Sequence, residues 1–188
     1  MLNKAVNSKP AINRLVIIGL GLIGSSLAAA VRKLGLAETV VGISRRSSTL
    51  ELALERGIID EACDSLKAIA NDLDAGDMVV IGVPTLTVPA MLKECHELLN
   101  DCVTITDVAS VKGSVVSSAT SIYGRIPGQF VPGHPIAGSE RSGVTAADSK
   151  LFEHHKVILT PTETTESKHL EAVTNLWIGV GATVSSMD

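Results

Sequence analysis

Residues Leu15–Val31 read LVIIGLGLIGSSLAAAV, a run without a single charge that follows Lys4, Lys9 and Arg14. Two readings compete for it. Basic residues, an apolar centre and the small residues Ala28-Ala29-Ala30 imitate the three regions of a secretory signal. The alternative is a buried strand, Leu15 to Ile18, then a glycine turn and a helix on which Ile23, Leu27, Val31 and Leu34 recur at helical spacing until Gly35. Three glycines lower the helical propensity a spanning segment relies on, and the run barely reaches spanning length. A regular alternation of strands and helices follows, so the run is expected to open a globular fold and no membrane partner is expected.

That alternation is readable along the chain. Thr39–Ile43 and Met78–Val83 have the β-branched composition of strands, the second cut off by Pro84. Val103–Thr106, Gln129–Val131, Lys156–Thr160 and Ala182–Ser185 are further candidates. Helices are expected from Ser48 to Arg56, ended by Gly57; along the face of Met91, Leu92, Cys95, Leu98 and Leu99; and between Ser167 and Ile178. Strands separated by helices imply an α/β fold, a Rossmann-like doubly wound and mostly parallel sheet with helices on both faces. Residues 1–13 are polar, contain Pro10 and read as a mobile lead-in, leaving 14–188 as one domain. The chain stops directly after a strand, as one continued by a further domain would.

Composition narrows the partners. A net charge of −4 and only four aromatics, Tyr123, Phe130, Phe152 and Trp177, argue against duplex binding or base stacking, so no nucleic acid is expected. Cys63, Cys95 and Cys102 are odd in number and show no CxxC spacing; they read as reduced, mostly packed thiols of a cytoplasmic protein. No metal site is expected. His154-His155, between Glu153 and Lys156, read as a solvated loop.

Gly19, Gly21 and Gly24 form GxGxxG after a strand and at the opening of a helix. Gly19 permits the tight turn, Gly21 lets the backbone approach a pyrophosphate, and Gly24 allows close helix–strand packing. The helix N-terminus offers unpaired N–H groups to phosphates. About twenty residues further on, where an acid would bind a free ribose 2′-hydroxyl, stand Ser44, Arg45 and Arg46. Serine and guanidinium groups suit a 2′-phosphate, so NADP is favoured, with NAD the alternative because arginine also stacks on adenine. Contact with the cofactor is expected from Gly19, Gly21, Leu22, Ile23, Gly24, Ser44, Arg45 and Arg46, from Val83 and Pro84, and from Ser110.

Ligands of open α/β sheets sit outside the carboxyl ends of the strands, which directs attention to Gly82–Thr85, Thr106–Lys112 and Pro132–Glu140. His134, between Gly133 and Pro135, is expected in a stiff loop and suits a proton acceptor, its unperturbed pKa of about 6.5 lying close to working pH. Ser110 is a candidate to orient that ring, to cap the following helix, or to do both. Asp107 reads as a cap or turn residue, and Lys112 as a solvated lysine in the first helical turn.

The pieces VIIGLGLIGSSLA, VGISRR, VVIGVPT, TDVASVKG and PGHPIAGSERSGVTAA occur in that order. Together they resemble the prephenate/arogenate (cyclohexadienyl) dehydrogenase family of tyrosine biosynthesis, in its N-terminal nucleotide-binding domain; TDVASVKG and GHPIAGSE are the specific pieces. The resemblance implies an NAD(P)-dependent oxidative decarboxylation of prephenate or arogenate. It assigns the catalytic roles to His134 and Ser110, with Ser110, His134 and Glu140 at the substrate. It also implies a C-terminal helical domain that forms a homodimer and supplies a substrate-binding arginine; this chain does not contain it. A hydroxyacid or imine reductase on the same fold, or a nucleotide-sensing module, are the rival readings.

Overall fold

Alternate residues of the first strand, β1 (Ile12–Ile18), enter two different cores. Leu15 and Ile17 belong to one, Val16 and Ile18 to the other. A strand buried on both faces needs an unbroken apolar run, which is why this stretch carries no polar alternation. The computed structural model describes residues 10–187. Residues 1–9 of the expected lead-in lie outside these. Ile12 and Asn13, assigned to that lead-in, are in fact part of β1, where Ile12 is buried and the Asn13 amide donates to the Gly76 carbonyl.

Six parallel strands form the main sheet: β1, β2 (Ala37–Ile43), β3 (Glu61–Cys63), β4 (Met78–Ile81), β5 (Thr104–Asp107) and β6 (Phe130–Val131). Their spatial order is β3-β2-β1-β4-β5-β6, the doubly wound arrangement, with its switch point between β1 and β4. Helices α1 (Leu22–Leu34) and α5 (Ser167–Gly179) cover the face of Leu15 and Ile17, burying Leu27, Val31, Leu176 and Trp177. Helices α3 (Val88–Leu98) and α4 (Lys112–Tyr123) cover the other through Leu92, Cys95, Val115 and Ala119. Helix α2 (Ser47–Glu55) follows β2. Complete burial of each large aliphatic is worth roughly 1.5–3 kcal/mol, so the uncharged opening run is accounted for by the core it fills. Among the described residues, no helix is long and apolar enough to cross a membrane.

A second, three-stranded sheet departs from the expectation of one continuous sheet. β7 (Gly133–Pro135) pairs antiparallel with β8 (Lys156–Leu159), which pairs parallel with β9 (Thr183–Ser186). Pro132 separates β6 from β7; lacking an N–H, it cannot carry a ladder onward. The β4 strand ends at Ile81, earlier than expected, because Gly82 and Val83 turn into the loop beyond it. Cys63, Cys95 and Cys102 are free, but only Cys95 is fully packed, and burial pushes its thiol up to about 12. Cys102 is exposed, against expectation, on the turn before β5.

Candidate active site

The glycine turn is built by close backbone contact. Gly19 has φ +97°, and a β-carbon there would lie 2.7 Å from the Gly82 carbonyl oxygen, so both conformation and space demand glycine. A β-carbon on Gly24 would come within 2.2 Å of the Gly19 carbonyl oxygen, which lets α1 start directly against the turn. Gly21 is different: it is exposed at the N-cap of α1, and nothing lies within 4 Å of the position its β-carbon would take. The protein itself does not require glycine there. A ligand seated on the helix N-terminus would, which is the fit expected of a pyrophosphate.

A cleft of about 750 Å³ opens beside this turn. Of the expected cofactor residues, Gly19, Gly21, Ser44, Arg45, Arg46, Val83 and Pro84 line it. Leu22, Ile23 and Gly24 do not; they stand behind it in the first turn of α1, Gly24 buried and Ile23 packed against the core. The Ser44 hydroxyl accepts the Arg46 amide at 3.2 Å, shaping the loop that presents both guanidinium groups. Sequence reasoning missed several parts of the wall, Thr87, Ala90, Met91 and Glu94 at the start of α3 among them. Asp64 and Ser65, just beyond β3, face the cleft, and so do Ser142, Gly143 and Val144 from a segment far along the chain. That segment is held down by the Asp148 amide donating to Ser26 Oγ on α1 and by Arg56 donating to the Thr145 carbonyl.

Ser110, His134 and Glu140 are not part of that wall. Ser110 follows β5, His134 lies just after β6, and Glu140 comes after β7. His134 is not in a loop: it sits in β7, half-buried and paired with Ile158. Burial first, and then the charge of Lys112, hold its imidazole below the usual histidine range, while Asp107 pulls the other way. Ser110 is exposed and does not cap α4, whose N-cap position is Val111. Glu140 is exposed on the segment between β7 and Ser142.

The largest correction concerns Lys112, while the turn role expected of Asp107 is one part of what it does. Asp107 ends β5 fully buried, and its carboxylate accepts the Ala109 amide at 2.9 Å and the Gly133 amide at 3.2 Å. Lys112 is not solvated: its side chain is 14 % exposed, and Nζ donates to Asp107 Oδ2 and, at 2.7 Å, to the Gly133 carbonyl. Burial pushes the Asp107 carboxyl up and the Lys112 ammonium down, and the attraction of the pair opposes both shifts. A β-carbon on Gly133 would meet the Asp107 carbonyl oxygen at 3.0 Å, so glycine is what allows this approach. Among the described residues, no group of three or more His, Cys, Asp or Glu is gathered to hold a metal. His154 and His155 are exposed, as expected.

A doubly wound sheet with a glycine turn at its switch point and an open helix N-terminus defines a dinucleotide-binding domain. The family described as prephenate dehydrogenase, nucleotide-binding domain, matches residues 27–186, and the chain belongs to it. The match begins past the glycine turn, so it rests on the rest of the domain, the Asp107–Lys112 and His134–Glu140 stretches included.

Among relatives, the prephenate dehydrogenase of Bacillus subtilis (strain 168) is 38% identical over 176 residues, which is 89% of this chain and 44% of that protein. The structure of Aquifex aeolicus prephenate dehydrogenase in complex with hydroxyphenyl propionate and NAD+ superposes with TM-score 0.84 at 34% identity, covering 98% of this chain and 62% of that one. Synechocystis arogenate dehydrogenase gives TM-score 0.82 at 31% identity, over 93% of this chain and 59% of that one. The chain spans about half the length of the curated relatives it matches.

Proposed function

We propose that the chain is the nucleotide-binding domain of a dehydrogenase that oxidises prephenate or arogenate with loss of carbon dioxide. The observation that carries this reading is the half-buried imidazole of His134, kept on the neutral side by burial and Lys112, on the same sheet edge as a cleft suited to a dinucleotide. When bound, a nicotinamide supplies the hydride acceptor. Gly19 and Gly21 would hold its diphosphate against the N-terminus of α1, and Val83 and Pro84 would supply apolar wall to the rest of the dinucleotide. His134 takes the proton of the ring hydroxyl as that oxygen becomes carbonyl-like, which lowers the barrier selectively because the hydroxyl is acidic only then. Ser110 orients the hydroxyl, and Glu140 borders the substrate.

NADP is the favoured cofactor on the strength of Ser44, Arg45 and Arg46 on the cleft wall. Asp64 on the same wall works against a 2′-phosphate, and Asp64→Asn is expected to widen any preference for NADP. Homodimerisation through a helical domain and a cytoplasmic location belong to the same reading. The deciding assay offers prephenate or arogenate, each with NAD or NADP, to this chain and to its longest natural form, following the appearance of reduced nicotinamide by its absorbance. No reduction with either substrate would end the dehydrogenase reading.

A further inference from the structure

We propose that Asp107 and Lys112 are positioning residues, a buried clasp that fixes the Ser110 segment and the His134 strand against each other. This rests on the dehydrogenase reading for its purpose but not for its geometry. Each main-chain group the clasp holds lies one residue from a reactive group. The carboxylate holds the amide of Ala109, next to Ser110, and the amide of Gly133, next to His134. The ammonium returns to the Gly133 carbonyl, so the peptide units on both sides of Gly133 are tied to one ion pair.

Stability alone does not account for this arrangement. Taking two charges out of water costs several kcal/mol per ion in general, and apolar replacements of buried pairs are often neutral or stabilising. The strands are already joined without it: β5 pairs with β6, and the Thr106 hydroxyl donates to the Val131 carbonyl at 2.7 Å. What the ion pair adds is direction. Two main-chain donors, one ammonium and one carbonyl meet at fixed angles, which apolar packing does not enforce.

The clasp also sets the charge felt by His134. Lys112, from the first turn of α4, favours the neutral imidazole, and Asp107, from β5, opposes it. On its other side His134 pairs with the uncharged Ile158 of β8, and the charged group of that strand is Lys156, two residues back, whose carbonyl accepts the Ile136 amide. Removing Lys112 therefore takes away the cation that disfavours the imidazolium and raises the imidazole's proton affinity.

The test uses the full chain with labelled histidine, following the His134 ring by NMR titration and assigning its signal by its loss in His134→Gln. For Lys112→Met, the titration midpoint is expected to rise by about one unit, with kcat down roughly 10- to 100-fold and cofactor KM within about twofold. Lys112→Arg, which keeps the charge, is expected to restore the midpoint and part of kcat. The double variant Asp107→Asn/Lys112→Met leaves no buried charge and guards against simple misfolding; it is expected to fold, bind cofactor and turn over as slowly as Lys112→Met. A folded double variant with wild-type kcat and midpoint overturns the proposal. A shifted midpoint in a protein that reduces no nicotinamide overturns the dehydrogenase reading instead and leaves the clasp standing.

Discussion

The two ends of the sheet's carboxyl edge are made of different materials. Over β1, β2 and β4 the cleft is shaped by main chain: Gly19 against Gly82, Gly24 against Gly19, and an open Gly21. Over β5, β6 and β7 the site is shaped by side chains, with Asp107 and Lys112 holding the strand that carries His134. Backbone contacts tolerate no added atom, whereas side-chain contacts tolerate no lost charge. The two regions should therefore fail in different ways when altered.

The sharpest separation is expected from His134→Ala, which should cut kcat by about a thousandfold while leaving cofactor affinity nearly unchanged. Equal loss of both, measured by steady-state kinetics and cofactor titration, would make the histidine structural and erase the distinction. Gly19→Ala is the converse case. Its φ of +97° and the 2.7 Å approach to Gly82 predict a loss of about 2–4 kcal/mol in stability by denaturant unfolding, together with weakened cofactor binding. Wild-type stability in that variant would mean the turn relaxes and the backbone argument is wrong.

Smaller effects refine the picture. Arg45→Ala and Arg46→Ala should each weaken NADP about tenfold and leave NAD almost untouched; equal effects on both would remove the 2′-phosphate reading. The acid limb of the pH–rate profile should fall at an apparent pKa below about 6.5, since burial and Lys112 both favour neutral His134. A limb above that value would mean Asp107 outweighs them.

The smallest effect concerns His169 on α5, a buried residue with Nδ1 2.8 Å from Thr104 Oγ1. Burial, then Lys168, hold its imidazole below the usual range. The unfolded chain thus binds more protons between the folded value and about 6.5, so its contribution is present at neutral pH and fades as pH falls through that window. Thermal unfolding at pH 7 and pH 5 should show a drop in midpoint that is smaller in His169→Gln.

Legibility followed the same division. Gly19 and Gly24 could be read because a turn that only glycine can make leaves its mark in consecutive residues. Lys112 could not. A lysine in a first helical turn is ordinarily solvated, and nothing in local spacing reveals that Gly133, from another strand, will meet it. The strands β3 and β7 escaped because three residues carry no periodicity, and His134 was therefore placed in a loop rather than on a ladder. Ser142, Gly143 and Val144 were missed for a similar reason: their contribution to the cleft depends on Ser26 and Arg56, each distant in sequence.

Pro132 gives the molecule two platforms rather than one. The dinucleotide cleft belongs to the six-stranded platform, while His134 rides on the three-stranded one, and Asp107 reaches across as a rivet. Substitutions in β8 or β9 that change the tilt of the small platform can thus re-aim the imidazole without disturbing the nucleotide grip. The aim of the imidazole and the grip on the nucleotide become separately adjustable dials.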